Sequence, residues 1–164
     1  MLWGIVWIAC YVTTHLLLSQ PAYIGWVWLA GNAIGLGGMA MLFTVFGRRP
    51  DVRSQSMRKL GWRMFWFWIA LALFGNAWLV MLWPWYPLQM NAFLVTLIMF
   101  AYVVIGLWMD SRFMIVLGAA VAIGALAGYL LTMFGGFTYY NLWMAMVGGG
   151  GLFGSGLYMR LAWR

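Results

Sequence analysis

The sequence predicts an all-α integral membrane protein of about six transmembrane helices arranged as three hairpin repeats, and three observations predict it. Hydrophobic residues make up 66% of the 164 residues and charged ones only 7%, against about 45–50% and about 25% in soluble domains. Six apolar segments come close to the roughly 20 helical residues that cross a hydrocarbon core of about 30 Å. The basic residues fall only in alternate connections between those segments, the pattern of cytoplasmic loops. A soluble domain with so few charges could not cover its own surface, a requirement that lipid removes.

The first segment, 2–18, is short and needs local thinning of the bilayer or support from a neighbour. It has no basic stretch before its apolar run, so it reads as a retained span rather than a cleaved signal. Cys10, the single cysteine, lies inside that run as a small packing residue, with no thiol partner for a disulfide or a metal. The connection Ser19-Gln20-Pro21 carries no basic residue, and the second segment follows at 22–46. The loop 48–59 then brings Arg48, Arg49, Arg53, Arg58 and Lys59, with Arg63 just beyond. Orientation and contact with anionic lipid headgroups explain this cluster, and Ser54 or Ser56 would cap the next helix.

The third segment, 60–83, shows Trp62, Phe65, Trp66, Phe67 and Trp68 near its start, which suits a lipid-facing or peripheral helix. The turn at Pro84-Trp85-Tyr86-Pro87 is uncharged. The fourth segment, 90–109, leads through Asp110-Ser111-Arg112, a turn closed by a local ion pair or a helix cap. The fifth, 113–134, ends in the uncharged turn 135–140, and the sixth, 141–159, is followed by Arg160 and Arg164. Both termini are thereby expected on the cytoplasmic side. The opposite face collects Trp83, Trp85, Tyr86, Tyr139 and Tyr140, an aromatic belt at headgroup level.

The hairpins 2–46, 60–109 and 113–159 look like one unit used three times within a single transmembrane domain, 1–164. Asn91-Ala92-Phe93 reaches Gly106-Leu107-Trp108-Met109 at the same offset as Asn141-Leu142-Trp143 reaches Gly156-Leu157-Tyr158-Met159. Small residues at four-residue spacing let helices approach closely in lipid. They occur at Gly31 and Gly35, at Gly124 and Gly128, and at Gly150 and Gly154, so helices two, five and six are expected inside. The run Gly148–Gly151 should make helix six either tightly gripped or locally irregular. The same faces could serve a homo-oligomer or a larger membrane complex.

An ionisable side chain within a span is a functional candidate. His15 is the candidate here, and with Thr14, Asn32 and Asn76 it forms an expected polar cluster in the outer half of the membrane. Interhelical hydrogen bonding is the preferred explanation of the cluster, ahead of a substrate or proton site. A structural zinc site needs more ligands than one histidine supplies. Asp51 and Asp110 belong to the cytoplasmic end, away from His15, so no Ser–His–acid set or carboxylate pair can be assembled. No glycine group sits in a strand–loop–helix context with a following Lys-Ser/Thr, which excludes a phosphate loop.

Three glycine-ended hairpins, carried by Gly38, Gly106 and Gly156, are loosely similar in architecture to bacterial six-helix acid-resistance membrane proteins. The tryptophan content suggests the tryptophan-rich sensory family, but that family has five helices and a Trp/Asn/Pro-Pro-rich first loop. The first loop here is Ser19-Gln20-Pro21-Ala22-Tyr23. The expectation is a non-enzymatic multi-pass protein of the bacterial inner membrane, a small scaffold or accessory subunit without metal or cofactor. A small transporter or channel working through the polar cluster is the alternative. Anionic lipids are the expected partners, and the net charge of +7 is read as loop bias rather than nucleic-acid binding.

Overall fold

The computed structural model describes residues 1–46, 55–81, 83–84 and 86–162, and every regular element among them is a helix. These are α1 (Leu2–Leu16), a 3₁₀ turn (Pro21–Tyr23), α2 (Ile24–Phe46), α3 (Gln55–Met81), α4 (Pro87–Trp108) and α5 (Arg112–Gly135). A sixth helix, α6 (140–162), is α-helical over Tyr140–Met144, a π-helix over Ala145–Gly150 and α-helical again over Gly151–Ala162. Four stretches are long and apolar enough to cross a membrane: Pro21–Leu42, Leu60–Met81, Pro87–Trp108 and Arg112–Gly135. The 15 residues of α1 span only about 22 Å at 1.5 Å per residue, and the π segment interrupts α6. Six helices are therefore present among the described residues, of which four meet the length criterion.

Local chemistry accounts for the helix ends. α3 starts inside the expected loop, so Arg58 and Lys59 are helical, and Ser56 lies within the helix rather than capping it. Pro87 sits in the first turn of α4, where its missing N–H costs nothing. The turn from α4 to α5 is closed by backbone capping. The N–H of Ser111 donates to Gly106 O at 2.8 Å and that of Asp110 to Leu107 O at 3.4 Å, the paired bonds of a Schellman motif. Asp110 takes the left-handed conformation at φ 51° that this motif requires. Ser111 Oγ then accepts from the N–H of Met114 at 3.5 Å as the N-cap of α5.

The chain divides into two compact units, Met1–Arg48 with Ala127–Arg164, and Arg49–Leu126. In the first, the short α1 is the enclosed element, with Gly4, Val6, Trp7, Cys10, Tyr11 and Thr14 buried. The stripe 4–7–11–14 is the i, i+3, i+4 pattern of one helix face. α6 lies antiparallel to it: a Cβ built on Gly148 would lie 3.1 Å from the Trp7 ring, and one on Gly149 would lie 2.9 Å from the backbone N of Ile8. Gly4 abuts the backbone of Phe153, and Gly156 abuts Met1.

Another flank of α1 meets α2. Gly31 receives Cys10 and Val6, Gly35 the ring of Trp3, and Gly38 the side chain of Leu2. Tyr11 packs edge-on against Trp28, ring centroids 4.9 Å apart. Gly128 of α5 receives the indole of Trp143.

In the second unit α4 is the interior helix. Met99 and Ala101 are fully buried, with Val95 and Ile105 nearly so. α3 packs on it through Gly75 against Leu97 and through Phe67 against Trp108, centroids 5.1 Å apart. α5 packs on it through Gly118, whose Cβ would lie 2.8 Å from Met99 O, and Gly106 of α4 abuts Met114 and Ile115.

The expected interior therefore holds for helix six and is corrected for helix two. α1 and α6 form the centre of one unit and α4 that of the other, while α2 buries only Gly31 and Gly35 among its described residues. A glycine stripe marks where a neighbour's side chain enters; it does not enclose the rest of the helix. The aromatic belt needs a similar change, because Trp83, Tyr86 and Tyr139 are exposed but Tyr140 is buried. The repeat expected to equate α4 with α6 meets a difference, since α6 carries a π segment and α4 is a regular helix.

Candidate functional site

Most polar side chains in the apolar helices are satisfied within their own helix. Thr96 Oγ donates to Ala92 O and Thr132 Oγ to Gly128 O, each at 2.8 Å. Thr44 Oγ donates to Met41 O and the buried Ser155 Oγ to Leu152 O, at 2.9 and 2.8 Å. This return bond to the carbonyl three or four residues back is how a hydroxyl is accommodated in a helix surrounded by apolar atoms. Asn32 and Asn76 do the same with their amides, donating to Trp28 O and Ala72 O at 2.8 Å. Both asparagines are exposed.

Thr14 and His15 depart from this pattern. Thr14 Oγ and His15 Nδ1 are the buried side-chain polar atoms without a hydrogen-bond partner among the described residues. Thr14, 8% exposed, extends the stripe of Gly4, Trp7 and Tyr11 on the enclosed face of α1. His15 stands in the last turn of α1, where the chain reverses through two tight bonds, Leu17 N–H to Thr13 O at 2.9 Å and Gln20 N–H to Leu17 O at 2.8 Å. The Tyr139 ring lies beside it, centroids 5.9 Å apart and tilted by 45°. Phe137 adjoins Tyr139 in turn.

The four residues of the expected cluster divide between the two units. Thr14 and His15 are consecutive on α1, Asn32 turns its amide back on α2, and Asn76 belongs to the other unit. Sequence reasoning missed Tyr139, which no local signal ties to a histidine 124 positions earlier in the numbering. This end of α1 carries a buried hydroxyl, Thr14 Oγ, and a buried imidazole nitrogen, His15 Nδ1, each without a partner among the described residues, with the Tyr139 ring beside His15. Each is a group that a water or a small polar partner could satisfy. Among the described residues no three His, Cys, Asp or Glu side chains gather where a metal could be held.

The other sites named from the sequence are placed as follows. Gly31, Gly35 and Gly128 each receive a neighbouring side chain, and Gly124 is half-buried. Gly154 has open space where a Cβ would go, and Gly150 meets only its own helix. In α6 the close approaches fall instead on Gly148, Gly149 and Gly156. Arg48, Arg49 and Arg53 lie outside the described residues, Arg58 and Lys59 stand in the first turn of α3, and Arg63 is exposed one turn on.

No family profile, no curated protein and no solved structure matches this chain.

Proposed function

We propose that this chain is a non-enzymatic multi-pass protein of the bacterial inner membrane that serves as a small scaffold or accessory subunit of a membrane complex. The observation that carries the reading is the disposition of its polar groups. Six Thr, Ser and Asn side chains return their hydrogen bonds to their own helices, while large apolar side chains cover the outside. A protein that conducts a polar solute needs polar groups turned towards a shared path, whereas a scaffold needs only an apolar exterior and rigid packing. On this reading α1 and α6 also traverse the bilayer, α1 sheltered by its two neighbours, and the six helices form three related hairpins with both termini inside.

The unpartnered Thr14 and His15 favour a second reading, a small transporter with its site at that end of α1. One labelling experiment separates the two. In native membranes a Thr14→Cys variant should resist a water-soluble maleimide if the site is sealed. Rapid modification of that cysteine, with buried Cys10 unmodified, would replace the scaffold reading by the transporter.

A further inference from the structure

Between the first turns of α3 and the end of α4 lies a groove of about 680 Å³, lined by Leu60, Trp62, Arg63, Trp66, Phe67, Ala70 and Trp108. That volume falls within the roughly 300–1,000 Å³ of small-molecule sites. Trp62 and Trp66, four residues apart, project on one side of α3 and stack at 6.1 Å with planes 19° apart. Phe67 meets Trp108 edge-on at 5.1 Å and joins the two helices. Ala70 is small enough to leave the groove open at its far end.

We propose that this groove holds one anionic phospholipid, its phosphate on Arg63 and an acyl chain against Trp66, Phe67 and Trp108. The inference rests on the membrane reading of α3 above. Three observations select the occupant. The rise from Leu60 to Ala70 is about 15 Å, half of a hydrocarbon core of about 30 Å, so the groove has the depth of one leaflet. A partner helix would use more of α3, whose exposed apolar surface continues through Phe74, Trp78 and Met81 where the groove does not. The cation sits at the end where a headgroup would lie, with Arg58 and Lys59 one turn earlier on the same helix, and a planar guanidinium suits a phosphate. Asp110, the acid of the α4–α5 turn, does not line the groove.

The test is native mass spectrometry of the purified full chain in mild detergent, offered equal amounts of phosphatidylglycerol and phosphatidylcholine with identical acyl chains. The wild type should retain phosphatidylglycerol in preference. Arg63→Gln should cut that preference about fivefold, the factor one basic side chain near an anionic surface is worth, while still binding lipid. Ala70→Trp, filling the groove at an exposed position, should abolish retention of both lipids. Excess inorganic phosphate should not displace the lipid. Equal retention of the two lipids by the wild type, unchanged preference in Arg63→Gln, unchanged retention in Ala70→Trp, or displacement by free phosphate would each overturn the proposal. Circular dichroism of both variants confirms that the helices are intact. Release of the chain from membranes by alkaline carbonate would instead defeat the membrane reading beneath it, so the two failures are distinguishable.

Discussion

The grip of α6 on α1 is the contact most exposed to a single added carbon, and Gly149→Ala measures it. A Cβ at Gly149 would lie 2.6 Å from Ile8 Cγ1, 2.9 Å from Ile8 N and 3.2 Å from Gly4 O. The first neighbour can rotate away, but the other two are backbone. Bringing the nitrogen back to the 3.4 Å edge of ordinary contact requires α1 and the π segment to part by about 0.5 Å, which forfeits about a quarter of the dispersion well along their seam. Overpacking of this kind costs about 1–3 kcal/mol. The intrinsic helix preference of Ala over Gly, about 1 kcal/mol, offsets part of it. The expected net loss is about 0–2 kcal/mol.

Gly154→Ala is the internal control. It lies on the same helix with nothing within 4 Å of the added carbon, so only the propensity gain of up to about 1 kcal/mol should remain. Gly149→Ala should be the less stable of the two by about 1–3 kcal/mol, the overpacking term alone. Equilibrium unfolding at fixed detergent composition, followed by circular dichroism, reads the difference. Equal effects from the two substitutions, or destabilisation by Gly154→Ala alone, would refute the assignment of the α1 contact to the π segment.

Other outcomes follow from the same geometry. Thr14→Val should be neutral or stabilise by about 1 kcal/mol in the same unfolding assay, because an unpartnered buried hydroxyl costs about 1–3 kcal/mol; a loss beyond 1 kcal/mol would mean that the hydroxyl has a partner. Gly31→Ala should destabilise, and adding Cys10→Ala should restore most of the loss, since the obstructing group is the Cys10 thiol rather than backbone; a double variant no better than the single one would contradict this. Met109→Cys and Thr138→Cys flank α5 and should label from opposite sides of sealed vesicles, whereas labelling from one side would show that α5 does not cross. Ser111→Ala should cost about 1 kcal/mol through loss of the cap on Met114 N–H, with no change in thermal unfolding as the refuting result.

Helix existence was legible because apolar run length is a one-dimensional property. The stretches 60–81 and 87–108 announce themselves by composition, and their ends by Pro87, Asp110 and Ser111. The irregularity of α6 was also visible, since four consecutive glycines, Gly148–Gly151, weaken a regular helix enough for a neighbour to reshape it. Helix burial was legible only in part, for helix six and not for helix two. The glycines of α2 suggested an interior helix, yet α2 is mostly exposed, because the small-residue pattern records a point of entry and not which helix stands in the middle. The polar candidates were legible as residue types, whereas their hydrogen-bond partners were not. Asn32 and Asn76 each return the amide to a carbonyl four residues back, a local solution available to any helical asparagine and not marked by the residue type.

The sequence by itself determined that the chain is helical, that its long segments suit lipid, and which positions carry no side chain and so admit a neighbour. Only the tertiary structure decided that the short α1 is the enclosed element of its unit, with α2 on one flank and the π segment of α6 on another. It alone placed Tyr139 beside His15 and set Trp62, Arg63, Trp66 and Trp108 along one groove. The reason is physical. Composition and periodicity sum over neighbours along one helix, whereas enclosure depends on which helices meet. In an apolar chain many pairings have similar transfer energies, so close packing of glycine against specific side chains selects among them.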